Sequence, residues 1–174
     1  VFDALAISFG TAGTGGFGIK NDSMASYSPY IQNVVTVFMI LFGVNFNIYY
    51  LILAGKVKQA VKSQELRWYI SIIAISILVI TVSVLGMYGT AGESLRHAAF
   101  QVGSIITTTG YSTTDFDLWP QNCKTILLML MLLGACAGST GGGIKVSRLV
   151  ILLKTVKKEL VQFIHPRSIK KITM

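Results

Sequence analysis

Between Ser104 and Phe116 the chain reads SIITTTGYSTTDF. Thr108, Thr109, Gly110 and Tyr111 supply hydroxyl and carbonyl oxygens in apolar surroundings, and the glycine is free to take a positive φ. Such a set suits the replacement of water around a desolvated alkali cation, as rings of backbone carbonyls do. A second concentration of flexible, hydroxyl-bearing residues is AGSTGGGIK, with Gly138, Ser139, Thr140, Gly141, Gly142 and Gly143 leading to Lys145. Residue types for other chemistry are missing. Cys123 and Cys136 form no CxxC motif, and no His/Cys cluster has metal-ligand spacing. No paired histidines and no Ser/His arrangement support an enzyme.

The first oxygen-rich segment occurs twice. A shift of 94 positions aligns Ala4 with Ala98, Thr14 with Thr108, Gly16 with Gly110 and Phe17 with Tyr111. The earlier copy, FDALAISFGTAGTGGFG, places Thr14, Gly15, Gly16 and Phe17 opposite Thr108, Thr109, Gly110 and Tyr111. Each copy is a short amphiphilic run, then a Thr/Gly segment, a polar stretch and a long apolar segment; repetition at a long period is itself a structural signal. A run of about 12 helical residues is only about 18 Å long, short of the roughly 30 Å of hydrocarbon in a bilayer. Such a helix enters and stops, and the extended chain after it needs protein or water around its backbone groups. These features predict two re-entrant pore loops, with an alkali cation coordinated by Thr14, Gly15, Gly16, Thr108, Thr109 and Gly110. The competing reading is that Thr and Gly let helices pack closely.

The elements that must hold these loops are membrane spans. Hydrophobic residues make up 52% of the 174 and charged residues 13%, with a mean hydropathy of +0.64. Apolar stretches of bilayer length run from about Ile31 to Ala54, from Trp68 to Tyr88, and from Thr125 to Leu153, the last interrupted by the glycine run. The opening residues do not resemble a signal peptide, and the absence of an initiator methionine marks a fragment. The net charge of +8 is unevenly distributed: Lys56, Lys58, Lys62 and Arg67 lie between the first two spans, and Lys145, Arg148, Lys154, Lys157, Lys158, Arg167, Lys170 and Lys171 follow the glycine break. Positive charge beside span ends marks the cytoplasmic side, so both Thr/Gly segments enter from outside, and nucleic acid is not the partner. The spans carry no carboxylate of the kind a proton relay uses, which favours channel-like conduction over proton symport.

Three consecutive glycines cost roughly 1 kcal/mol each in a helix interior. Gly138 to Gly143 are therefore expected to unwind the third span at mid-membrane and act as a gate below the filter, with Ser139 and Thr140 pairing freed backbone groups. Lys145 is placed to repel or tether cations there. Two other readings stand beside this one. Gly138-x-x-x-Gly142 fits a helix-packing motif. A phosphate-binding loop would need lysine directly after Gly143, where Ile144 stands, and a buried strand before it. After the break, the basic segment from Lys154 continues as a cytoplasmic helix ended by His165-Pro166 and suited to anionic lipid or an acidic partner.

FDALAISFGTAGTGGFG, LRHAAFQVGSIITTTGYST and GACAGSTGGGIKVSRLVILLK together resemble the Trk/Ktr/HKT superfamily of potassium transporters, and within it the bacterial TrkH-type membrane subunits. The resemblance covers nearly the whole chain. It implies an all-α integral membrane fold of repeated M1–pore helix–filter–M2 units arranged like the four subunits of a potassium channel. On that pattern residues 1–55 end repeat two, 56–67 form a cytoplasmic loop, 68–153 form repeat three, and 154–174 lead toward repeat four. The implied function is multi-pass potassium uptake across the bacterial inner membrane, with potassium as the bound ion and no covalent cofactor. The implied partners are membrane lipid, a second copy in a homodimer, and a cytosolic nucleotide-binding regulatory subunit. Gly15-Gly16 stands where the later copy has Thr109-Gly110, which loosens coordination, and neither copy has the TVGYG of strict potassium channels. A non-selective sodium/potassium conductor of the same family, or a non-conducting membrane protein whose Gly/Thr segments pack helices, are the alternatives.

Overall fold

The structure, a computed structural model, describes residues 1–164. The expected helix end at His165-Pro166, and the basic residues Arg167, Lys170 and Lys171, lie outside the described residues. Among those described, regular structure is helical: α1 Phe2–Ala12, α2 Pro29–Phe42, α3 Phe46–Leu53, α4 Val57–Lys62, α5 Gln64–Val84, α6 Ala91–Ile106, α7 Gln121–Leu132 and α8 Val146–Ile164, with one 3-10 turn at Phe116–Leu118.

Local signals start two of the helices that matter most. Ser28 accepts a hydrogen bond from the Ile31 N–H at 3.4 Å, and Pro29 occupies the first helical turn of α2. Thr90 caps α6 by accepting from the Glu93 N–H at 3.2 Å. The central helix is α6, which packs on α2 on one side and α5 on the other, while α7 and α8 lie against α5. Tyr69, Ile80, Val84, Ala98, Val102, Ile106 and Leu127 form the heart of the main core; Ile7, Val35, Met39, Phe100 and Tyr111 form a second. Exposed aliphatic and aromatic side chains remain along α2 (Val37, Phe38) and α5 (Ile75, Leu78, Val82). Apolar outer faces with the backbone bonds satisfied inside each helix are what a lipid solvent requires.

Only α5, with 21 residues, is by itself long and apolar enough to cross a bilayer among the described residues. The two other expected spans are broken. The stretch from Ile31 to Ala54 is not one straight helix: α2 and α3 meet at 89° across Gly43-Val44-Asn45. Asn45 caps α3, its side-chain oxygen accepting from the Asn47 N–H at 2.9 Å. At Gly43 a Cβ would lie 2.1 Å from the Tyr69 hydroxyl, so glycine lets α5 press against the bend. In the third span the helix ends at Leu132, earlier than the glycine run, and resumes at Val146. The amphiphilic run before the second Thr/Gly segment is also longer than expected, since α6 has 16 residues against 11 in α1.

Candidate ion path: two filter segments and a looped break

The two Thr/Gly segments share one backbone design. Thr14 and Thr108 have φ of 49° and 58°, and Gly16 and Gly110 have φ of 67° and 89°; Gly15 and Thr109 between them are not left-handed. Left-handed residues at the same two places in each copy give the two segments the same local backbone conformation. Hydrogen bonds repeat with the same offset of 94. The Gly13 N–H donates to the Phe9 carbonyl at 2.9 Å, as Thr107 does to Gly103 at 3.2 Å. The Thr14 N–H donates to Thr11 at 3.2 Å, as Thr108 does to Ile105 at 3.0 Å, and Gly15 donates to Gly10 at 2.8 Å, as Thr109 does to Ser104 at 2.9 Å. A threonine held left-handed costs about 1–2 kcal/mol, so its appearance at both equivalent positions indicates a conformation maintained against its intrinsic preference.

The segments lie side by side. The Tyr111 hydroxyl donates to the Phe17 carbonyl at 3.1 Å, joining two positions that the repeat aligns. A Cβ on Gly16 would lie 2.0 Å from the Thr109 carbonyl oxygen, a spacing only glycine permits. Beyond these segments, the Met24 N–H donates to the Ser112 carbonyl at 2.9 Å, and the Ser112 N–H donates to Ser23 Oγ at 3.1 Å. The two copies differ in support. Thr107, Thr109 and Tyr111 are buried, Thr107 Oγ1 and Thr109 Oγ1 are 2.7 Å apart, and Ser104 Oγ donates to the Tyr111 carbonyl at 2.6 Å. Phe17, the counterpart of Tyr111, is 82% exposed.

Beneath these segments runs the break in the third span, residues 133–145. Its two ends are pinched together: the Gly134 N–H donates to the Ile144 carbonyl at 2.8 Å, Ile144 donates to Leu132 at 3.3 Å, and Val146 donates to Ala135 at 3.3 Å. The result is a compact loop on a closed stem, in the manner of an Ω-loop. Its tip meets both Thr/Gly segments through equivalent threonines. Thr14 Oγ1 donates to the Thr140 carbonyl at 3.0 Å, and the Gly142 N–H donates to Thr108 Oγ1 at 2.7 Å. Gly141 is buried under the Thr107 carbonyl. Within the loop, Ser139 Oγ donates to the Cys136 carbonyl at 2.7 Å and Thr140 Oγ1 to the Phe42 carbonyl at 3.4 Å. The Lys145 ammonium donates to the Gly141 carbonyl, so it folds back on the loop it follows. Gly138, with φ of 71°, lies against Asn45 rather than against the Thr/Gly segments.

The loop's near side is anchored at the bend between α2 and α3. The Cys136 N–H donates to the Gly43 carbonyl at 3.0 Å, and the Phe46 N–H donates to the Gly138 carbonyl at 3.0 Å. Each orphan group at the bend thus finds its partner in the loop. The third anchor is Glu65, on the first turn of α5 and 7% exposed. Its carboxylate accepts from the Ala137 N–H at 2.6 Å and from Asn45 Nδ2 at 3.4 Å. Glu65 and Asn45 were not singled out from the sequence. A span boundary at Trp68 puts Glu65 in the cytoplasmic loop; its helix in fact begins at Gln64, so the expectation that the spans carry no carboxylate is corrected by Glu65 at the start of α5.

Similarity to known proteins agrees with this architecture. The model of the family described as TrkH, cation transport protein, matches residues 1–174. The Trk system potassium uptake protein TrkH of Salmonella typhimurium is 34% identical over 178 residues, covering 99% of this chain and 37% of that protein. Its counterpart in Vibrio parahaemolyticus is 37% identical over 174 residues, covering 97% of this chain and 36% of the relative. A crystal structure titled as the potassium transporter TrkH from Vibrio parahaemolyticus superposes with a TM-score of 0.91 at 35% identity, over 99% of this chain and 38% of that one. The chain therefore spans a little over a third of the relatives it matches. Matched along its whole length, with the helical order and broken third span described above, the chain belongs to the TrkH family of cation transport proteins.

Proposed function

We propose that this chain supplies two of the filter segments, and the gate beneath them, of a potassium-conducting pore in the bacterial inner membrane. Residues 1–55 close one repeat, 56–67 connect, 68–153 form a complete repeat, and 154–174 lead onward. The ion is coordinated by Thr14, Gly15, Gly16, Thr108, Thr109 and Gly110, with Phe17 and Tyr111 fixing the outer ends. The names of the relatives, potassium uptake proteins of the Trk system, support potassium as the ion. The whole protein works as a dimer with a cytosolic nucleotide-binding regulator, as the family resemblance implies.

One observation carries the gating role: a loop on a closed stem touches the equivalent threonines of two filter copies at once. A segment that only packed helices would have no reason to bind the filter hydroxyls. Docked there, it stands on the ion's route to the cytoplasm. The test is removal of Gly138 to Gly143 from the full-length protein, purified and reconstituted in liposomes. Potassium flux is expected to rise several-fold and to lose most of its dependence on the regulator. Selectivity changes less, because Thr108 to Tyr111 are untouched. A folded deletion protein with flux at or below that of the parent makes the segment a packing element instead.

A further inference from the structure

At the start of α5, Gln64, Arg67, Trp68 and Ser71 face Lys154 of α8 across a cavity of about 420 Å³. Their spacing places the four on one stripe of α5. The Lys154 ammonium donates to Gln64 Oε1, which holds it at the cavity's edge. Glu65, next to Gln64 in sequence, is turned away toward Ala137 and Asn45, so among the described residues no carboxylate lines this cavity. The same stripe continues along α5 as Ile75, Leu78 and Val82, which are 62%, 62% and 69% exposed.

We propose that this is a binding site for an anionic phospholipid of the inner leaflet. The headgroup phosphate sits between Arg67 and Lys154, and an acyl chain lies along Ile75, Leu78 and Val82. A guanidinium fork and an ammonium are the side chains that bind phosphate oxygens. The Gln64 amide and Ser71 hydroxyl add hydrogen bonds, and the indole of Trp68, half exposed, sits at the level where tryptophans mark the interface. Basic pockets between spans on the cytoplasmic side take such headgroups. A soluble phosphate would need only the polar end; the exposed apolar stripe running from it selects a lipid. The assignment to the inner leaflet rests on the proposed orientation; the site shares no residue with the Thr/Gly segments or the loop.

Full-length protein in phosphatidylcholine nanodiscs is titrated with phosphatidylglycerol brominated on its acyl chains, and the fluorescence of Trp68 is obtained as the difference from a Trp68→Phe variant. Brominated phosphatidylglycerol is expected to quench Trp68 at a mole fraction on the order of tenfold lower than brominated phosphatidylcholine requires, as two cations near an anionic headgroup imply. The Arg67→Gln/Lys154→Gln pair abolishes the difference, and the Arg67→Lys/Lys154→Arg pair keeps it, which separates lost charge from lost fold. Inorganic phosphate at millimolar concentration leaves the quenching unchanged. Equal quenching by the two lipids, or a preference that survives neutralisation, overturns the proposal. So does displacement by phosphate, which makes it a soluble-anion site, and so does an absence of quenching by either lipid, which means that protein covers the face.

Discussion

Gly16 and Gly110 occupy equivalent places and both are left-handed, yet their surroundings differ. A Cβ on Gly110 meets nothing within 4 Å, whereas one on Gly16 meets the Thr109 carbonyl oxygen at 2.0 Å. Gly110→Ala therefore has backbone strain alone to bear, about 1–2 kcal/mol. Gly16→Ala adds overpacking of about 1–3 kcal/mol. Both are expected to lower rubidium uptake by the full-length protein, but only Gly16→Ala is expected to lower its melting temperature in detergent by several degrees beyond the other. Equal melting temperatures would show that the two filter segments are not in this close contact. A milder change is Thr108→Ala, which removes the acceptor of the Gly142 N–H and leaves the filter backbone in place. It is expected to raise basal flux, read in the same liposomes as the loop deletion; unchanged flux would mean that the Thr108–Gly142 bond does not hold the loop closed.

The looped break depends on groups far from it in sequence. Glu65 is the acceptor for the Ala137 N–H at the loop's entry. Glu65→Ala leaves that part-buried N–H without its protein partner, at a cost of about 1 kcal/mol, while Glu65→Gln keeps an acceptor. In a Cys123→Ser background, Cys136 is expected to react with a small thiol reagent several-fold faster in Glu65→Ala than in Glu65→Gln or the parent. Equal rates would mean that Glu65 does not hold the loop. The repeat was legible because residue type encodes it: only glycine or a strained threonine satisfies the left-handed positions 14, 16, 108 and 110. The helical, span-forming character was legible from apolar run length. The 89° bend was legible only in part: Gly43 and Asn45 are breaking and capping signals inside an otherwise apolar run, but the bonds that stabilise the bend, with Cys136 and Gly138, come from some ninety positions away. Glu65 was hidden for the same reason, since nothing local distinguishes a buried acceptor from a solvated charge.

At the scale of the molecule, the start of α5 and the length of α8 come together at one end, joined by Lys154 and Gln64. The other end is tied by Trp119 Nε1 donating to the Tyr88 hydroxyl at 2.9 Å and by Asn122 donating to Ser83 Oγ at 3.0 Å. Arg67 of α5 and Lys154 of α8 therefore lie at an end opposite the polar segments that follow the Thr/Gly segments. An impermeant thiol reagent applied outside cells is expected to label a cysteine placed at Asp22 or Asp117 and to spare one at Lys58. The reverse pattern would invert the orientation and put the looped break outside the ion.

The hydrogen bond from Tyr111 to the Phe17 carbonyl carries a consequence for symmetry. It links equivalent positions in successive repeats, so in a fourfold arrangement the same bond, made by each repeat to the one before it, would close into a belt around the ion. Phe17 has no hydroxyl to pass the bond on. The belt is open at this repeat, and its brace runs in one direction only. On the proposed reading of these segments as a filter, the enclosure would be stiff along one edge and compliant along the next, and size discrimination would rest on the braced side.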